Sequence, residues 1–484
     1  MDYCYRHLYI GGAWTTPHAD AVIDVISASS EEHVGRTPLG TAADADHAVC
    51  AARRAFDSPL GWPALHPQER AAVLRRFADE LERRQTEMTK RVSLQNGMPV
   101  AVAVHTEGYY PAKLLHYYAD LITRQPAEEV RNSLMRGITT VRREPVGVVA
   151  AIVPWNFPQT LSFFKVAPAL ASGSTVVLKP APETVLDALL MAEAAEAAEL
   201  PPGVLNIVTG TGEEVGAHLV KHPGVDKVAF TGSTAAGRII AAECGQLLRP
   251  VTLELGGKSA GIVLDDVNLG AVTKRFFEAT LLNQGQTCFI STRILAPASR
   301  YSEIAEVFTS LAASLRIGDP LDPRTLIGPL ATAKQRATVE RYIELGKAEG
   351  GRVATGGARP EHLPKGWYIE PTVFTDVDNN SALAQEEIFG PVLSIIKYSD
   401  VDEAVHLANS SSYGLGGTVW TSDPERGLDV ARRIRTGSVG VNGFTLDIGA
   451  PFGGIKSSGL GRELGPEGLD AYQQIKSIYL PEGL

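Results

Sequence analysis

A cysteine and a glutamate lie 34 residues apart in surroundings that suit covalent chemistry. Cys288 ends the run NQGQTC, and Glu254 lies in the run LELGGK. A cysteine can form a covalent thioester, and a carboxylate can activate the water molecule that cleaves it. Free cysteines are commonly buried for structural reasons, but a polar run that contains glycine is a poor stretch for a packed core. The pair therefore indicates nucleophilic catalysis by Cys288 with Glu254 as a base.

A third candidate lies upstream of this pair. Asn156 is the central residue of the run PWNFP, in which the two prolines restrict the backbone. The alternative is a rigid turn with no further role, because asparagine is a common turn residue. The same rigidity would suit a side-chain amide that is held beside the Cys288 backbone N–H and binds a developing oxyanion.

The chain from residue 146 to residue 256 alternates between strands rich in Val and Ile and helices. Strands are predicted at 146–153, 175–179, 206–209, 227–230 and 251–255, with helices between them at 160–172, 184–200, 213–222 and 233–244. This alternation predicts right-handed crossovers and a doubly wound parallel sheet of the dinucleotide-binding type. Glu254 would end the last of these strands, where ligands bind in such sheets. Burial there should raise its pKa and let it act as a base near neutral pH.

The remaining segments complete an α/β protein of more than one domain. Helices are predicted at 41–57, 67–93, 99–120, 268–283 and 301–315. Residues 257–440 form a second α/β domain that carries Cys288, residues 127–145 are polar and irregular, and 471–480 form a final strand. A chain of 484 residues is too long for a single hydrophobic core, so this division agrees with its length.

Composition narrows the class of protein. With 44% hydrophobic and 21% charged residues the chain is typical of a globular protein, and its formal charge of −10 argues against binding to nucleic acid. The four cysteines are scattered, which favours neither disulfides nor a zinc site. No secretory signal is visible, and the longest apolar run is far shorter than the ~20 residues that a membrane helix needs. We expect a cytoplasmic protein that binds no membrane and needs no metal.

Four runs, PWNFP, LELGGK, NQGQTC and EEIFGP, occur in the order and at the spacing found in the NAD(P)-dependent aldehyde dehydrogenase superfamily. The chain resembles that superfamily from residue 10 to its tail. The resemblance implies that the Cys288 thiolate attacks an aldehyde to give a thiohemiacetal, that hydride leaves to nicotinamide, and that a thioester remains. It assigns Asn156 to the oxyanion hole and Glu254 to the deacylating water, so that a carboxylic acid is released. It also places Glu463 near the cysteine, where an ion pair with Arg462 or Lys456 is the alternative, and Lys165 behind it.

The resemblance also implies a set of cofactor contacts. Lys179 would bind the adenosine ribose, Gly232 and Ser233 the pyrophosphate, Gly212 and Gly216 would line the adenine side, and Glu387 would hold the nicotinamide ribose. The remaining positions are Val153, Pro154, Trp155, Phe230, Gly237, Leu255 and Phe389. Many relatives that prefer NAD carry a glutamate where this chain has Pro182, so NAD is favoured and NADP is possible.

The predicted aldehyde tunnel consists mainly of apolar residues, which suits uncharged aliphatic or aromatic aldehydes. Its residues are Phe157, Leu161, Phe164, Thr287, Phe289, Leu446 and Phe452. Three alternatives remain: transfer of the acyl group to coenzyme A, which Glu254 disfavours, a non-catalytic dinucleotide-binding protein, and an esterase that uses the same cysteine.

The same resemblance implies a domain arrangement and a homodimer or homotetramer. Residues 1–126 and 146–256 would bind the dinucleotide, and 127–145 with 470–484 would form an oligomerisation arm. Residues 441–469 would line the active site and return to the cofactor domain.

Overall fold

An eight-stranded sheet is the framework on which the candidate site is built, in a computed structural model that describes residues 3–481. In order across the sheet, the strands are Gly459–Leu460, Val251–Glu254, Lys227–Thr231, Val148–Ile152, Thr175–Lys179, Leu205–Ile207, Leu8–Ile10 and Ala13–Thr15. The five strands from Val251–Glu254 to Leu205–Ile207 are parallel and almost wholly buried. Such strands need helices on both faces, so their apolar composition follows from burial on two sides. The predicted doubly wound α/β fold is confirmed.

The direction in which the sheet is built reverses beside Val148–Ile152. The next strands along the chain, Thr175–Lys179 and Leu205–Ile207, extend the sheet to one side, whereas Lys227–Thr231 and Val251–Glu254 extend it to the other. A crevice opens beyond the carboxyl ends of parallel strands at such a switch point, and ligands bind there.

The helices that precede and cover this sheet agree broadly with the predictions. They are Ala42–Asp57, Pro67–Arg83, Gln85–Asn96, Val100–Ala103, Tyr110–Arg124, Pro158–Ser172, Leu186–Ala197, Ala217–Lys221 and Thr234–Gln246. The prediction of a single helix at 67–93 is wrong, because Arg84 leaves helical geometry with φ −100° and ψ 3° and separates two helices. The helix predicted at 99–120 is interrupted by a wide π-turn at Val104–Gly108. Such turns are frequent at functional positions.

A second, seven-stranded sheet carries the segment around Cys288. Its strands, in order, are Arg352–Thr355, Thr372–Thr375, Val392–Tyr398, Ser291–Pro297, Ser259–Val263, Gly417–Trp420 and Gly440–Val441. The helices that pack with it are Leu269–Thr280, Tyr301–Ser314, Ala333–Ala348, Ala382–Gln385, Val401–Asn409 and Pro424–Arg433. The helix predicted at 268–283 ends earlier, at Thr280, because Asn283 and Gln284 adopt left-handed backbone conformations with φ 52° and 53°.

Two small sheets complete the fold. One contains Tyr3–Cys4, His33–Pro38 and Val22–Ile26, which the sequence patterns did not reveal. The other joins Glu128–Asn132, Ile138–Pro145 and the C-terminal strand Gln473–Leu480 in antiparallel register. Residues 482–484 of the predicted arm lie outside the described residues.

Two further observations concern the chain as a whole. From residue 3 to residue 481, no helix combines the length and the apolar character needed to span a membrane. The four cysteines are free thiols, and Cys288 is partly exposed.

Candidate active site

A cavity of about 270 Å³ opens at the switch point of the eight-stranded sheet. Loops from both large sheets line it, so it lies between the two halves of the molecule. Its lining residues are Pro154, Trp155, Asn156, Thr231, Gly232, Ser233, Leu255, Gly256, Cys288, Gln335, Thr338, Glu387, Ile388 and Phe389. The cavity therefore brings Cys288 and Asn156 together with many of the residues predicted to contact a cofactor.

The loop before Cys288 is held by its own polar side chains. Asn283 Nδ2 donates to the Asn156 carbonyl at 3.0 Å, and Gln284 Nε2 donates to the Pro329 carbonyl at 3.0 Å. Both residues have positive φ, a conformation that asparagine tolerates better than most residues. The polar composition of NQGQTC thus reflects a buried, hydrogen-bonded turn that presents the cysteine at the cavity.

Asn156 is buried, and its amide is fixed in direction. Its Nδ2 donates one hydrogen bond to the Gln286 carbonyl at 3.0 Å, which leaves the second N–H of the same nitrogen available. The neighbouring Trp155 carbonyl accepts a bond from Asn96 Nδ2 at 3.0 Å. An amide held in this way is preorganised to donate to a charge that develops on a reacting oxygen.

The surroundings of Cys288 disfavour the thiolate form of its side chain. Burial raises its pKa well above the usual range, and the nearby Glu387 and Glu254 carboxylates add to that, against a smaller lowering by the Cys288 and Phe289 N–H groups. The backbone passes very close to Gly257, where a Cβ would lie 2.3 Å from the Cys288 carbonyl oxygen. Glycine at 257 therefore permits the two backbone segments to approach each other closely beside Cys288.

Glu254 ends its strand opposite Gly459 and is buried, as predicted. Within residues 3–481 neither of its carboxyl oxygens has a hydrogen-bond partner of normal geometry. Burial raises its pKa well above the usual range and the Glu463 carboxylate adds to this, while Lys165, Arg462 and the Gly454 N–H act in the opposite direction. A buried carboxyl whose pKa is raised binds a proton more readily than an exposed one, which suits a general base.

Glu463 pairs with Lys165 instead of the two basic residues considered from the sequence. Lys165 Nζ lies 2.8 Å from Glu463 Oε1, and it also donates to Thr231 Oγ1 at 2.6 Å. Arg462 donates to backbone carbonyls, as does Lys456. The second Glu463 oxygen has no partner among the described residues, so both glutamates near the cavity keep free acceptors.

The part of the cavity nearest Glu387 combines a carboxylate with two aromatic rings. Glu387 Oε1 accepts the Gly257 N–H at 2.9 Å, and burial raises the pKa of Glu387 to about 7. Trp155 and Phe389 meet edge to face with ring centroids 5.5 Å apart. Phe389 has a positive φ of 56°, and Gln335 Nε2 donates to its carbonyl at 2.8 Å, which holds that strained turn.

Lys179 lies at the other end of the crevice and is buried, not solvated. Its Nζ donates to the carbonyls of Pro180 and Gly210 at 2.8 and 2.9 Å, and burial lowers its pKa to about 8. Gly216 lies against the Lys179 side chain, with 3.6 Å between its ideal Cβ position and Lys179 Cδ, whereas Gly212 faces open space. Neither glycine lines the cavity itself.

The remaining cofactor candidates lie around the start of the helix Thr234–Gln246. Ser233 caps this helix through Oγ, which accepts the Ala236 N–H at 3.3 Å. The Phe230 ring packs against Gly232 and the Leu255 side chain against Gly237, where a Cβ would lie 2.5 Å from each. Val153 donates its N–H to the Lys179 carbonyl at 3.1 Å.

The residues predicted for the aldehyde tunnel pack into the hydrophobic cluster that also contacts Cys288. They are Phe157, Leu161, Phe164, Phe289, Leu446 and Phe452, while Thr287 is buried with its hydroxyl bonded to the Leu282 carbonyl at 3.0 Å. Phe452 meets Phe164 and Phe289 at centroid distances of 6.4 and 6.2 Å. They form an aromatic wall and do not line the 270 Å³ cavity.

Several contributors were missed from the sequence: Thr231, Gly256, Gln335, Thr338 and Ile388, which line the cavity, and Phe444. Phe444 stacks on Phe289 with centroids 4.6 Å apart and an interplanar angle of 14°. Gln335 and Thr338 reach the cavity from the helix Ala333–Ala348, which begins where Thr332 Oγ1 accepts the Gln335 N–H at 3.0 Å. The Thr-x-x-Gln spacing is a helix-start signal that could have located this helix. Nothing comparable marks Phe444.

Comparison with known proteins places this arrangement in a family. The sequence model that describes the aldehyde dehydrogenase family matches residues 14–478 of this chain. The chain belongs to the aldehyde dehydrogenase family. This aldehyde dehydrogenase is therefore an oxidoreductase that converts an aldehyde to a carboxylic acid with a nicotinamide dinucleotide as hydride acceptor, as predicted.

Individual relatives span the whole of this aldehyde dehydrogenase. It is 54% identical to geranial dehydrogenase of Castellaniella defragrans, over 99% of this chain and 100% of that protein. It is similar to a Mycobacterium tuberculosis aldehyde dehydrogenase complexed with NAD⁺, with 46% identity, 100% coverage of both chains and a TM-score of 0.97. A variant of aldehyde dehydrogenase C from Pseudomonas syringae, complexed with NAD⁺ and octanal, is 39% identical, with 99% and 98% coverage and a TM-score of 0.95.

Proposed function

We propose that Cys288 is the nucleophile of this aldehyde dehydrogenase, that Asn156 and the Cys288 N–H form its oxyanion hole, and that Glu254 is its base. The observation that carries this assignment is the cavity that Cys288 shares with Asn156, together with the buried Glu254 carboxyl, which has no hydrogen-bond partner of normal geometry among residues 3–481. Because burial and the nearby carboxylates raise the pKa of the Cys288 thiol, a neighbouring base would assist removal of its proton before attack. Glu254 and Glu387 are the two carboxyls whose charges act on it.

The chemistry proceeds in two halves on the cysteine sulfur. Sγ bonds to the aldehyde carbon, the thiol proton passes to a base, and the Asn156 amide and the Cys288 N–H stabilise the oxyanion. Loss of hydride from the thiohemiacetal carbon, for which a bound nicotinamide would supply the acceptor, leaves a thioester on Cys288. Glu254 then takes a proton from water, the hydroxide oxygen bonds to the acyl carbon, and the acid departs from the thiolate. The products are a carboxylate and the reduced dinucleotide.

The cavity has the donors and acceptors that a dinucleotide requires. N–H groups at the start of the helix Thr234–Gln246 suit a pyrophosphate, and the Glu387 carboxylate suits ribose hydroxyls. Lys179 lies at the far end, where the adenosine ribose would bind. We infer that NAD⁺ is the preferred cofactor, because Glu183 and Glu213 place negative charge beside Lys179 and would repel a 2′-phosphate.

The substrate is inferred to be an uncharged aldehyde with a sizeable apolar group. The aromatic wall around Cys288 contains Phe164, Phe289, Phe444 and Phe452, and none of the predicted tunnel positions carries a basic residue. A charged substrate would lose its hydration there without gaining a partner. The names of two relatives, one for geranial and one bound to octanal, point in the same direction.

We further propose that the sheet of Glu128–Asn132, Ile138–Pro145 and Gln473–Leu480 joins subunits of a homo-oligomer. The sheet exposes Val130 and Tyr479, and the turn between its first two strands exposes Leu134 and Met135; so many exposed large apolar side chains are unusual for a surface that meets only water. Light scattering should give a mass of at least twice the 51.7 kDa of the chain. A purely monomeric species would exclude this role.

The reaction is tested by reduced-dinucleotide absorbance with purified protein and a panel of short, long, branched and aromatic aldehydes, with NAD⁺ or NADP⁺. Cys288→Ala should abolish oxidation but still bind NAD⁺ by calorimetry, and Cys4→Ala, on the surface, is the matched control. If Cys288→Ala still oxidised aldehydes, the proposed mechanism would be disproved. Acid release without coenzyme A separates hydrolysis from acyl transfer.

A further inference from the structure

The helix Pro158–Ser172 begins without a capping side chain of its own. Phe157 occupies the N-cap position, and an apolar residue cannot accept from the free N–H groups of the first turn. Glu107, 50 residues earlier, does so instead. Its Oε2 accepts the Gln159 N–H at 2.7 Å and the Thr160 N–H at 3.4 Å, and its Oε1 accepts the Thr160 hydroxyl at 2.7 Å.

Glu107 reaches the helix from an irregular position. It lies in the π-turn Val104–Gly108 and is completely buried. Burial raises its pKa to about 8, with the Asp187 carboxylate adding to the shift. Below that pH its O–H can donate to the Thr160 hydroxyl while Oε2 still accepts from Gln159. A glutamine would make the same two bonds.

The capped helix follows directly after Asn156. The loop before it is held through its carbonyls by Asn96 and Asn283, so Glu107 supplies the anchor on the remaining side. We propose that Glu107 is a positioning residue for the oxyanion hole, which fixes the first turn of this helix and thereby the direction of the Asn156 amide. The inference rests on the role proposed above for Asn156.

The test compares Glu107→Ala with Glu107→Gln in the full-length enzyme. We expect kcat to fall about 10- to 100-fold in Glu107→Ala, because small displacements of a catalytic group have effects of this size. Glu107→Gln should stay within about threefold of the unmodified enzyme, since it preserves both bonds. The KM for NAD⁺ and the rate at which iodoacetamide alkylates Cys288 should not change, because neither depends on an oxyanion donor.

Asp187→Ala is the matched control. It also removes a buried carboxylate, but Asp187 reaches the helix start only through the Gln159 side chain, at 2.6 Å, and accepts from Gln95 at 2.8 Å, so it caps none of the backbone N–H groups of the first turn. We expect its kcat to stay within about threefold of the unmodified enzyme. If Glu107→Ala does not fold, Thr160→Val removes one partner of the cap and should lower kcat about 3- to 10-fold.

Three outcomes would overturn the inference: an unchanged kcat in Glu107→Ala, an equal loss in Asp187→Ala, or a loss of Cys288 alkylation that matches the loss of oxidation. The last two would indicate general loosening of the fold. Asn156→Ala distinguishes the two proposals. If that variant is fully active, the oxyanion role itself fails. If it is impaired while Glu107→Ala is not, only the positioning role fails.

Discussion

Lys165 Nζ and Glu463 Oε1 lie 2.8 Å apart and are both shielded from solvent, although 298 residues separate them in the chain. The pair ties the helix that follows Asn156 to the C-terminal segment beside Glu254. Each buried charge compensates for the lost hydration of the other. Either charge without its partner would strongly destabilise the folded state.

Removing one member of this pair should therefore destabilise the fold strongly. We expect Lys165→Met to lower the free energy of unfolding by about 3–5 kcal/mol, and the double variant Lys165→Met, Glu463→Gln to recover part of that loss. Lys476→Met is the control, because its partner Glu144 is near the surface and exposed pairs contribute about 1 kcal/mol or less. Urea unfolding measures all three, and equal effects of Lys165→Met and Lys476→Met would contradict the expectation.

Glu254 should control the second half of the reaction and its dependence on pH. Because its pKa is raised, the base form is lost as pH falls from a higher value than for an ordinary carboxyl, so turnover should increase as pH rises through that raised pKa. Glu254→Gln should give a burst of one reduced dinucleotide per site, followed by turnover about 10²-fold slower or more. Stopped-flow absorbance measures both phases. Full turnover without a burst would exclude the role, and Glu467→Gln, on the surface, is the control.

Cofactor preference should depend on the two carboxylates beside Lys179. Replacing both Glu183 and Glu213 with glutamine removes the negative charge that acts on Lys179 and should lower the KM for NADP⁺ about 3- to 10-fold, since a partly screened surface charge contributes roughly 1 kcal/mol. The KM for NAD⁺ should change little. Glu214→Gln, next to this pair, is the matched control. An unchanged KM for NADP⁺ would show that another group decides the preference.

Phe444 should set how well long apolar aldehydes are used. Its ring stacks on Phe289, so Phe444→Ala should open the aromatic wall and lower kcat/KM for octanal or geranial about tenfold or more. The value for propanal should stay nearly constant, because a short chain does not reach the wall. For long aldehydes, the kcat/KM of Phe444→Leu should lie between that of the unmodified enzyme and that of Phe444→Ala. Steady-state kinetics with matched aldehydes provides the measurement, and an equal loss for short and long substrates would disprove the specificity role.

Strand-end reasoning predicted the position of Glu254, which ends a strand of a sheet whose Val- and Ile-rich pattern is clear. Asn156, in the loop after the strand Val148–Ile152, was predicted from the run PWNFP instead. The prediction that both residues lie near Cys288 rested on the order of the four sequence motifs and not on any periodicity. Burial of Lys179 and the partner of Glu463 could not be derived, because both depend on contacts between segments far apart in the chain.

The errors have physical causes of the same kind. The helix that begins at Pro67 ends before Arg84, although the apolar spacing of the sequence continues past that residue. Asn283 adopts a left-handed backbone conformation in which its side chain donates to the buried Asn156 carbonyl. The short N-terminal strands carry mixed burial, so no period of two was visible. Phe444 lies in a loop whose position only the folded sheets determine.

Glu254 faces Gly459 across the edge of the sheet, and that edge strand is made roughly two hundred residues later in synthesis. Until then a growing chain carries an open sheet edge, and its glutamate stays in contact with water. Because domains begin to fold as they leave the ribosome, the eight-stranded sheet can begin to assemble before the strand Gly459–Leu460 covers Glu254. A nascent chain that already contains Cys288 would thus lack the full burial that raises the pKa of Glu254. We expect that burial to be completed only when the strand Gly459–Leu460 pairs with Val251–Glu254.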